Sequence, residues 1–217
     1  MCGRLAFFEP QALKARYGIK KVPIVTINYN FAPGMSGPVV TRQSPKKIKL
    51  MKWGLIPSWV KEVKTSYKMI NGRAETILEK VSFRKPFSSQ RCLVPANGFY
   101  EWQRENGKQA YYFSLRNQQI MSFAGLFDIW RGAENEPVYS FTILTVSANK
   151  LMKPIHDRMP VILKKELEEK WLDNNQPAEE LIKMLKPYQE ADLIKYPVSR
   201  EVNQVVNNDE GLIQEIS

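Results

Sequence analysis

Histidine and cysteine are scarce in this sequence. Among its 217 residues there is one histidine, His156, and there are two cysteines, Cys2 and Cys92. Two cysteines so far apart do not form a disulfide framework, which favours a reducing, cytoplasmic setting. No Cys/His spacing matches a zinc site and no glycine-rich phosphate loop occurs, so we expect chemistry that needs no metal and no cofactor.

Long apolar runs, internal repeats and low-complexity tracts are also missing. No stretch approaches the roughly 18 apolar residues of a membrane span, and the first residues lack the basic-then-apolar pattern of a secretory signal. We therefore expect no membrane association. The length and a hydrophobic content of 43% are enough for a substantial core, so we expect a single domain over residues 1–217.

Acidic residues are outnumbered by basic ones. Lys and Arg total 32 and Asp and Glu total 22, which gives a formal charge of +10. Such a surplus suits a polyanionic partner, because phosphates attract Lys and Arg, although basic proteins that bind no nucleic acid also exist. Five Trp and nine Tyr include candidate stacking surfaces for unpaired bases, and most of these aromatic residues are expected in the core.

Alternating apolar and polar residues dominate the middle of the sequence. They predict strands over residues 38–41, 48–53, 92–102, 109–115, 120–129, 138–146 and 193–198, and residues 28–37 are predicted as a loop. Helices are predicted over residues 9–17, 164–172 and 178–185. Hairpin-connected strands with peripheral helices, and no regular strand–helix alternation, indicate an α+β fold built on mostly antiparallel sheet.

The opening segment MCGRLAF places a cysteine at position 2. Removal of Met1 requires a small second residue, and a processed Cys2 would carry a free α-amine beside its thiol. An unperturbed α-amine has a pKa of about 7.7 to 8.0 and a thiol about 8.5, so both groups are reactive near neutral pH. An aminothiol of this kind condenses with an aldehyde to an imine and closes to a five-membered thiazolidine. Cys2 is therefore a candidate nucleophile for an aldehyde partner.

A carboxylate interrupts the aromatic segment CLVPANGFYEW, residues 92–102. In an extended chain Phe99 and Glu101 share one face, and Tyr100 and Trp102 share the other. Glu101 is then either a solvent-facing residue of a half-exposed strand or a partly buried acid suited to proton transfer.

Two other segments carry polar residues that fit either a structural or a functional role. His156 precedes an Asp and an Arg at the start of an apolar strand in IHDRMPVIL, a place where loops present functional groups. In MINGRAETI, Asn71 and Arg73 flank a glycine; Asn-Gly is ordinarily a turn and a nearby Arg is ordinarily solvated.

Taken together, seven segments carry a family resemblance. In chain order they are MCGR, YNFAPG, MKWGLIPSW, INGRAET, RCLVPANGFYEW, IHDRMPVIL and PVSREVN. This set closely resembles the SOS-response-associated peptidase (SRAP) family over nearly the whole chain. The resemblance implies a distorted barrel-like core of mostly antiparallel sheets with peripheral helices. It also implies a monomer that captures abasic sites in single-stranded DNA, including sites at single-strand/duplex junctions, as a thiazolidine on the mature N-terminal cysteine.

The resemblance also implies roles for individual residues. Cys2 would be the nucleophile and Asn71 would hold the N-terminus and the sugar. Glu101 would act as general acid and base, and His156 would assist at the same sugar. The residues implied to contact DNA are Arg4, Arg73 and Arg158 at phosphates, Trp59, Pro33 and Trp53 along the bases and the sugar-phosphate path, and Thr145. Cys92 is expected to be a buried core thiol.

Three alternatives remain open from the sequence. An N-terminal-nucleophile glutamine amidotransferase also begins MCG, with Cys2 attacking the glutamine amide, but the arginine-glycine-proline-aspartate and asparagine-glycine-glutamate stretches usual for those enzymes are absent. A non-catalytic single-stranded DNA-binding module would use only the basic charge and the aromatic residues. A peptidase with a Cys-His-Glu arrangement, whose minimal reaction is self-removal of Met1, is compatible with the abasic-site role.

Overall fold

Two mostly antiparallel sheets form the protein in its computed structural model, which describes residues 2–19, 22–42, 47–61, 69–103, 109–117, 119–132 and 136–216. The smaller sheet has five strands in the order β13-β8-β7-β1-β2. Its strands are β1 (Arg4–Phe7), β2 (Asn28–Phe31), β7 (Gly98–Trp102), β8 (Ala110–Leu115) and β13 (Leu193–Pro197).

The larger sheet has eight strands. Its main order is β11-β10-β4-β3-β6-β9-β12; β5 pairs with β10, and β10 also pairs with β9. These strands are β3 (Ser36–Thr41), β4 (Lys47–Trp53), β5 (Asn71–Arg73), β6 (Arg91–Ala96), β9 (Met121–Arg131), β10 (Pro137–Ser147), β11 (Arg158–Pro160) and β12 (Ile162–Leu163). Strand β10 runs parallel to β4 and β5 and antiparallel to β9 and β11. The predicted α+β fold with a barrel-like core is confirmed.

Four α-helices lie within the described residues: α1 (Ala12–Tyr17), α2 (Val81–Ser89), α3 (Lys165–Leu172) and α4 (Ala178–Met184). Three were predicted. Helix α2 was not predicted from the sequence, because Pro86 lies inside it and ordinarily disrupts a helix. The side chains of Phe83, Pro86 and Phe87 are buried and hold the helix against the larger sheet. None of the described helices has the length and apolar character needed to cross a membrane.

The segment predicted as one strand over residues 92–102 is instead two strands that belong to different sheets. The break falls at Asn97, between β6 of the larger sheet and β7 of the smaller one. Asn97 donates its backbone N–H to Ala6 at 2.9 Å and accepts the backbone N–H of Phe8 at 2.9 Å on its side-chain oxygen. The chain therefore bends there to join the two sheets. A second prediction was also wrong: the first four residues of the predicted loop 28–37 form β2.

Apolar side chains from both sheets make one large core, and a smaller cluster covers the opposite face of the five-stranded sheet. Along β7 the faces alternate as predicted, with Phe99 in the large core and Tyr100 in the smaller cluster. The smaller cluster includes Val198, Val202 and Leu212 from the C-terminal segment. This alternation turns Glu101 inward, on the same side as Phe99.

Gly98 has little room for a side chain. A Cβ atom there would lie 2.2 Å from the hydroxyl and ring carbon of Tyr112 on the neighbouring strand. We expect Gly98→Ala to destabilise the protein by about 1–3 kcal/mol through overpacking, a fall in melting temperature of roughly 3–10 °C in a thermal-unfolding experiment.

Gly18→Ala is the matched control. Gly18 has φ of 62° and no other atom near the position of a Cβ, so it reports only the strain of a left-handed backbone, about 1 kcal/mol. If the two variants melt at the same temperature, the Tyr112 contact is not what restricts position 98.

Candidate active site

Cys2 precedes β1 and is fully buried. The side-chain amide of Asn71 donates a hydrogen bond to the carbonyl oxygen of Cys2 at 2.8 Å. Asn71 is the first residue of β5, and the parallel pairing of β5 with β10 fixes its backbone. The other amide atom of Asn71, Oδ1, is buried and has no hydrogen-bond partner among the residues that the structure describes. An acceptor is thus available beside Cys2. Met1, whose removal is predicted, lies outside the described residues.

The thiol of Cys2 is held in its neutral form. Burial raises its pKa well above the ordinary value of 9.0, and the nearby Glu101 carboxylate raises it further, whereas a hydrogen bond from the backbone of Arg4 acts in the opposite direction. A neutral thiol is a weak nucleophile. Attack by Cys2 therefore requires a group that takes up the thiol proton.

Glu101 and His156 form a buried pair next to this thiol. His156 Nε2 lies 3.4 Å from Glu101 Oε1, and the two side chains are 8% and 2% exposed. Glu101 reaches this place because β7 turns it toward the interior between the sheets. His156 comes from the turn that precedes β11. Of the two alternatives that the sequence left open for Glu101, the structure shows the buried acid.

Two groups of opposite character lie at Nδ1 of His156. Its Nδ1 accepts the backbone N–H of Arg158 at 2.9 Å. When Nδ1 accepts this N–H it carries no proton, and the proton of the neutral imidazole is then on Nε2, which faces Glu101. The carboxylate of Asp157, mostly exposed, lies 2.9 Å from the same Nδ1. Protonation of Nδ1 would exchange the backbone contact for the Asp157 carboxylate.

Arg158 is buried beside this pair and already binds a carboxylate. Its two terminal nitrogens donate to Glu75 at 2.7 and 2.8 Å, and one of them also donates to the carbonyl oxygen of Thr145 at 2.7 Å. The hydrogen bond from Arg158 holds the pKa of Glu75 below its usual value. A DNA phosphate could therefore bind Arg158 bidentately only by displacing Glu75, which already accepts hydrogen bonds from both terminal nitrogens.

The other two predicted phosphate ligands differ in exposure. Arg73 is exposed at the end of β5, where Thr145 is its register partner on β10. Arg4 instead donates to Asn30 and to the carbonyl oxygen of Val202 at 2.7 Å. These hydrogen bonds connect β1 to the C-terminal segment. A contact between Arg4 and a DNA phosphate stays a prediction, and the hydrogen bonds within the protein do not favour it.

The residues predicted to stack on bases also differ in exposure. Trp59 is 62% exposed, as a surface for bases must be. Trp53 is fully buried and stacks between Phe31 and Phe141, with ring centroids 5.8 and 6.2 Å away. In this conformation Trp53 packs in the core and has no surface to offer a base. Pro33 is half-buried in the turn after β2.

The four predicted catalytic residues form one connected group. Asn71 contacts Cys2, Glu101 acts electrostatically on the Cys2 thiol, and Glu101 lies against His156. The backbone of Arg158 then links His156 to the predicted DNA contacts at Arg158 and Thr145. Within the described part of the chain, no group of three or more His, Cys, Asp and Glu residues is placed to hold a metal ion.

Comparison with known proteins assigns the family. Residues 1–205 match the model of the SOS response associated peptidase (SRAP) family. The chain belongs to this family.

The SRAP relatives include proteins from bacteria and vertebrates. The chain is 44% identical over 222 residues to the abasic site processing protein YoqW of Bacillus subtilis, with 99% of each chain covered. It is 36% identical to the abasic site processing protein HMCES of Xenopus tropicalis, over 83% of this chain and 64% of that protein. A crystal structure of a Bacteroides thetaiotaomicron protein superposes with a TM-score of 0.92 at 31% identity, and all of both chains is covered.

Two carboxylates at the candidate site were given no role from the sequence. Glu75 follows Arg73 by two positions in INGRAET and pairs with Arg158. Asp157 directly follows the only histidine and lies against its Nδ1. In both cases the signal in the sequence was a position close to a candidate site residue. The sequence does not show that Glu75 pairs with Arg158, and only the fold does.

Proposed function

We propose that this SRAP-family protein captures abasic sites in DNA as a covalent adduct on Cys2, after Met1 has been removed. The observation that carries the proposal is the hydrogen bond from Asn71 to Cys2 beside the buried Glu101–His156 pair. The names of the relatives support it, because YoqW and HMCES are named abasic site processing proteins. An abasic deoxyribose exists partly as its C1′ aldehyde, which is the partner an N-terminal aminothiol needs.

Two bonds form at C1′ in the proposed reaction. The α-amine of processed Cys2 adds to the aldehyde, and loss of water leaves an imine. The Cys2 thiol then adds across the C=N bond: sulfur bonds to C1′, nitrogen gains a proton, and the five-membered thiazolidine closes. Aldehyde and aminothiol thus give thiazolidine and one water, and no oxidant, reductant or cofactor is consumed.

The neighbouring residues supply proton transfer and positioning. Glu101 takes up the thiol proton, which a buried neutral thiol must release as it attacks, and passes protons during loss of water. His156, with its Nε2–H facing Glu101 and the site, assists in opening the sugar hemiacetal. Asn71 fixes the backbone of Cys2 and offers its free Oδ1 to the α-amine. Such positioning removes much of the entropy barrier to bond formation.

The DNA contacts follow the exposed residues of the site. We propose that the lesion is presented in single-stranded DNA, or at a single-strand/duplex junction, because Cys2 is fully buried and an aldehyde held within a duplex could not reach it. Arg73 contacts a flanking phosphate and Trp59 stacks on an unpaired base. The formal charge of +10 favours binding to the polyanion at low salt. The protein is proposed to act as a cytoplasmic monomer.

The experiment uses a single-stranded oligonucleotide with one abasic site. Purified protein, with removal of Met1 confirmed by intact mass, is incubated with this strand and resolved on a denaturing gel. We expect a band that survives heat and detergent, and a mass equal to protein plus DNA minus one water. The matched strands are an intact oligonucleotide and one whose abasic aldehyde has been reduced with borohydride, and neither should form the band.

The rival functions predict different gels. A non-catalytic single-stranded DNA-binding module binds all three strands reversibly and gives no heat-stable band. A glutamine amidotransferase gives no band and releases ammonia from glutamine. Absence of the band with fully processed protein would refute the proposal. Release of ammonia from glutamine would then identify the protein as an amidotransferase.

A further inference from the structure

The segment that carries Trp59, residues 54–61, is held from one side by the β9–β10 hairpin. The backbone N–H of Gly54 donates to the carbonyl oxygen of Phe141 at 2.8 Å. The backbone N–H of Ile56 donates to Ser140 Oγ at 2.8 Å, and that of Ser58 donates to Asp128 Oδ2 at 2.7 Å. Alternate amides of the segment thus point into the same hairpin.

The acceptors lie on one face of that hairpin. Asp128 and Ser140 are register partners across β9 and β10, so their side chains stand side by side on the same face. Trp130, two residues after Asp128, shares this face and donates its indole N–H to the carbonyl oxygen of Val60 at 2.7 Å. We call Asp128, Trp130 and Ser140 the hairpin clasp.

A buried carboxylate is an unusual way to hold a loop. Asp128 is 2% exposed and Ser140 is fully buried. The second oxygen of Asp128 accepts the backbone N–H of Ile129 at 2.8 Å. Burying an ionised group is unfavourable unless hydrogen bonds compensate it. Hydrogen bonds to a charged acceptor are stronger than those to a neutral one, so Asp128 fixes Ser58 more firmly than a neutral side chain would.

Between the two clasped positions lies the exposed indole. Trp59 follows Ser58, which binds Asp128, and precedes Val60, which binds Trp130. The backbone on either side of Trp59 is therefore fixed, while its side chain remains 62% exposed. A surface that is ordered before DNA arrives loses less conformational entropy on binding.

We propose that Asp128 is a positioning residue for DNA capture, which acts through the hairpin clasp to hold Trp59 outward as a preformed stacking surface for an unpaired base. The inference rests on the proposed function, because it takes Trp59 as a base contact. It extends that function to a residue 69 positions from Trp59 in the sequence, on strands that carry none of the catalytic groups.

The test measures the adduct rate as a function of the concentration of abasic single-stranded DNA. For Asp128→Ala we expect the half-saturating DNA concentration to rise about fivefold to tenfold, in the range of one lost base stack, while the rate at saturating DNA stays that of the unsubstituted protein. Asp128→Asn keeps one oxygen acceptor for Ser58 but loses the charge and the second acceptor, so it should recover part of the loss. Gly18→Ala serves as a mildly destabilised control and should leave both quantities unchanged.

A double-mutant cycle separates positioning from general destabilisation. If Asp128 acts through Trp59, Asp128→Ala combined with Trp59→Ala should be no weaker than Trp59→Ala alone. Additive losses, or a fall in the saturating rate, would overturn the inference. The same cycle is run on reversible binding of an intact single strand by fluorescence anisotropy. Coupling there supports the clasp even if no adduct forms, and absence of coupling there refutes it whatever the adduct assay gives.

Discussion

Replacing Cys2 by alanine is expected to abolish the heat-stable adduct while reversible binding to intact single-stranded DNA stays nearly unchanged. The thiol contributes the sulfur of the ring, and no other described residue offers both an amine and a thiol on neighbouring carbons. Cys2 makes no part of the exposed surface, so its loss removes no DNA contact. The denaturing gel and an anisotropy titration measure the two quantities on the same preparation.

Cys2→Ser separates the roles of the amine and the thiol. Serine also permits removal of Met1, so the α-amine can still form an imine, but its hydroxyl is a much poorer nucleophile than the thiol. We expect a band only when borohydride is added to trap the imine. Cys92→Ala is the matched control, because Cys92 is likewise buried but lies on β6 within the core. An undiminished, untrapped adduct in Cys2→Ser would show that the thiazolidine is not the product.

The sequence predicted most strands because alternation of apolar and polar residues reports which faces are buried. It predicted the faces of β7 correctly for this reason, with Phe99 and Glu101 inward. It did not predict the break at Asn97, because strands β6 and β7 are both almost fully buried. The dipeptide Asn97-Gly98 does mark a turn, but burial on both sides of it leaves no change in pattern to show that the chain passes from one sheet to another.

For the site, motifs identified residue types but not their partners. The contact between Asn71 and Cys2 joins residues 69 positions apart, and the pair of Glu101 and His156 joins residues 55 apart. Arg4 shows most clearly that a motif does not identify the partner of a residue. Whether an arginine on a strand faces DNA or the protein depends on what covers that face, and here the C-terminal segment supplies the Val202 carbonyl. Nothing local to Arg4 in the sequence indicates this.

Glu101→Gln is expected to slow adduct formation by about a hundredfold or more, within the usual contribution of a general acid or base. Glutamine keeps the shape of the side chain and an oxygen to accept an Nε2–H of His156, so the packing around the pair should be preserved. Reversible binding of intact single strands should be unaffected. The rate is measured at saturating abasic DNA, and Glu168→Gln is the matched control because Glu168 is a buried carboxylate paired with Arg16 elsewhere in the fold.

The direction of the rate change discriminates between two roles for the Glu101 charge. After burial, that charge is the largest cause that raises the pKa of the Cys2 thiol. Removing it lowers the pKa and increases the thiolate fraction at any given pH. If thiolate formation alone limited the reaction, Glu101→Gln would therefore react faster than the unsubstituted protein. A slower reaction means that the Glu101 carboxylate serves as the proton acceptor. Its contribution to the rate as a base then exceeds the loss of rate caused by its raising the pKa of the thiol.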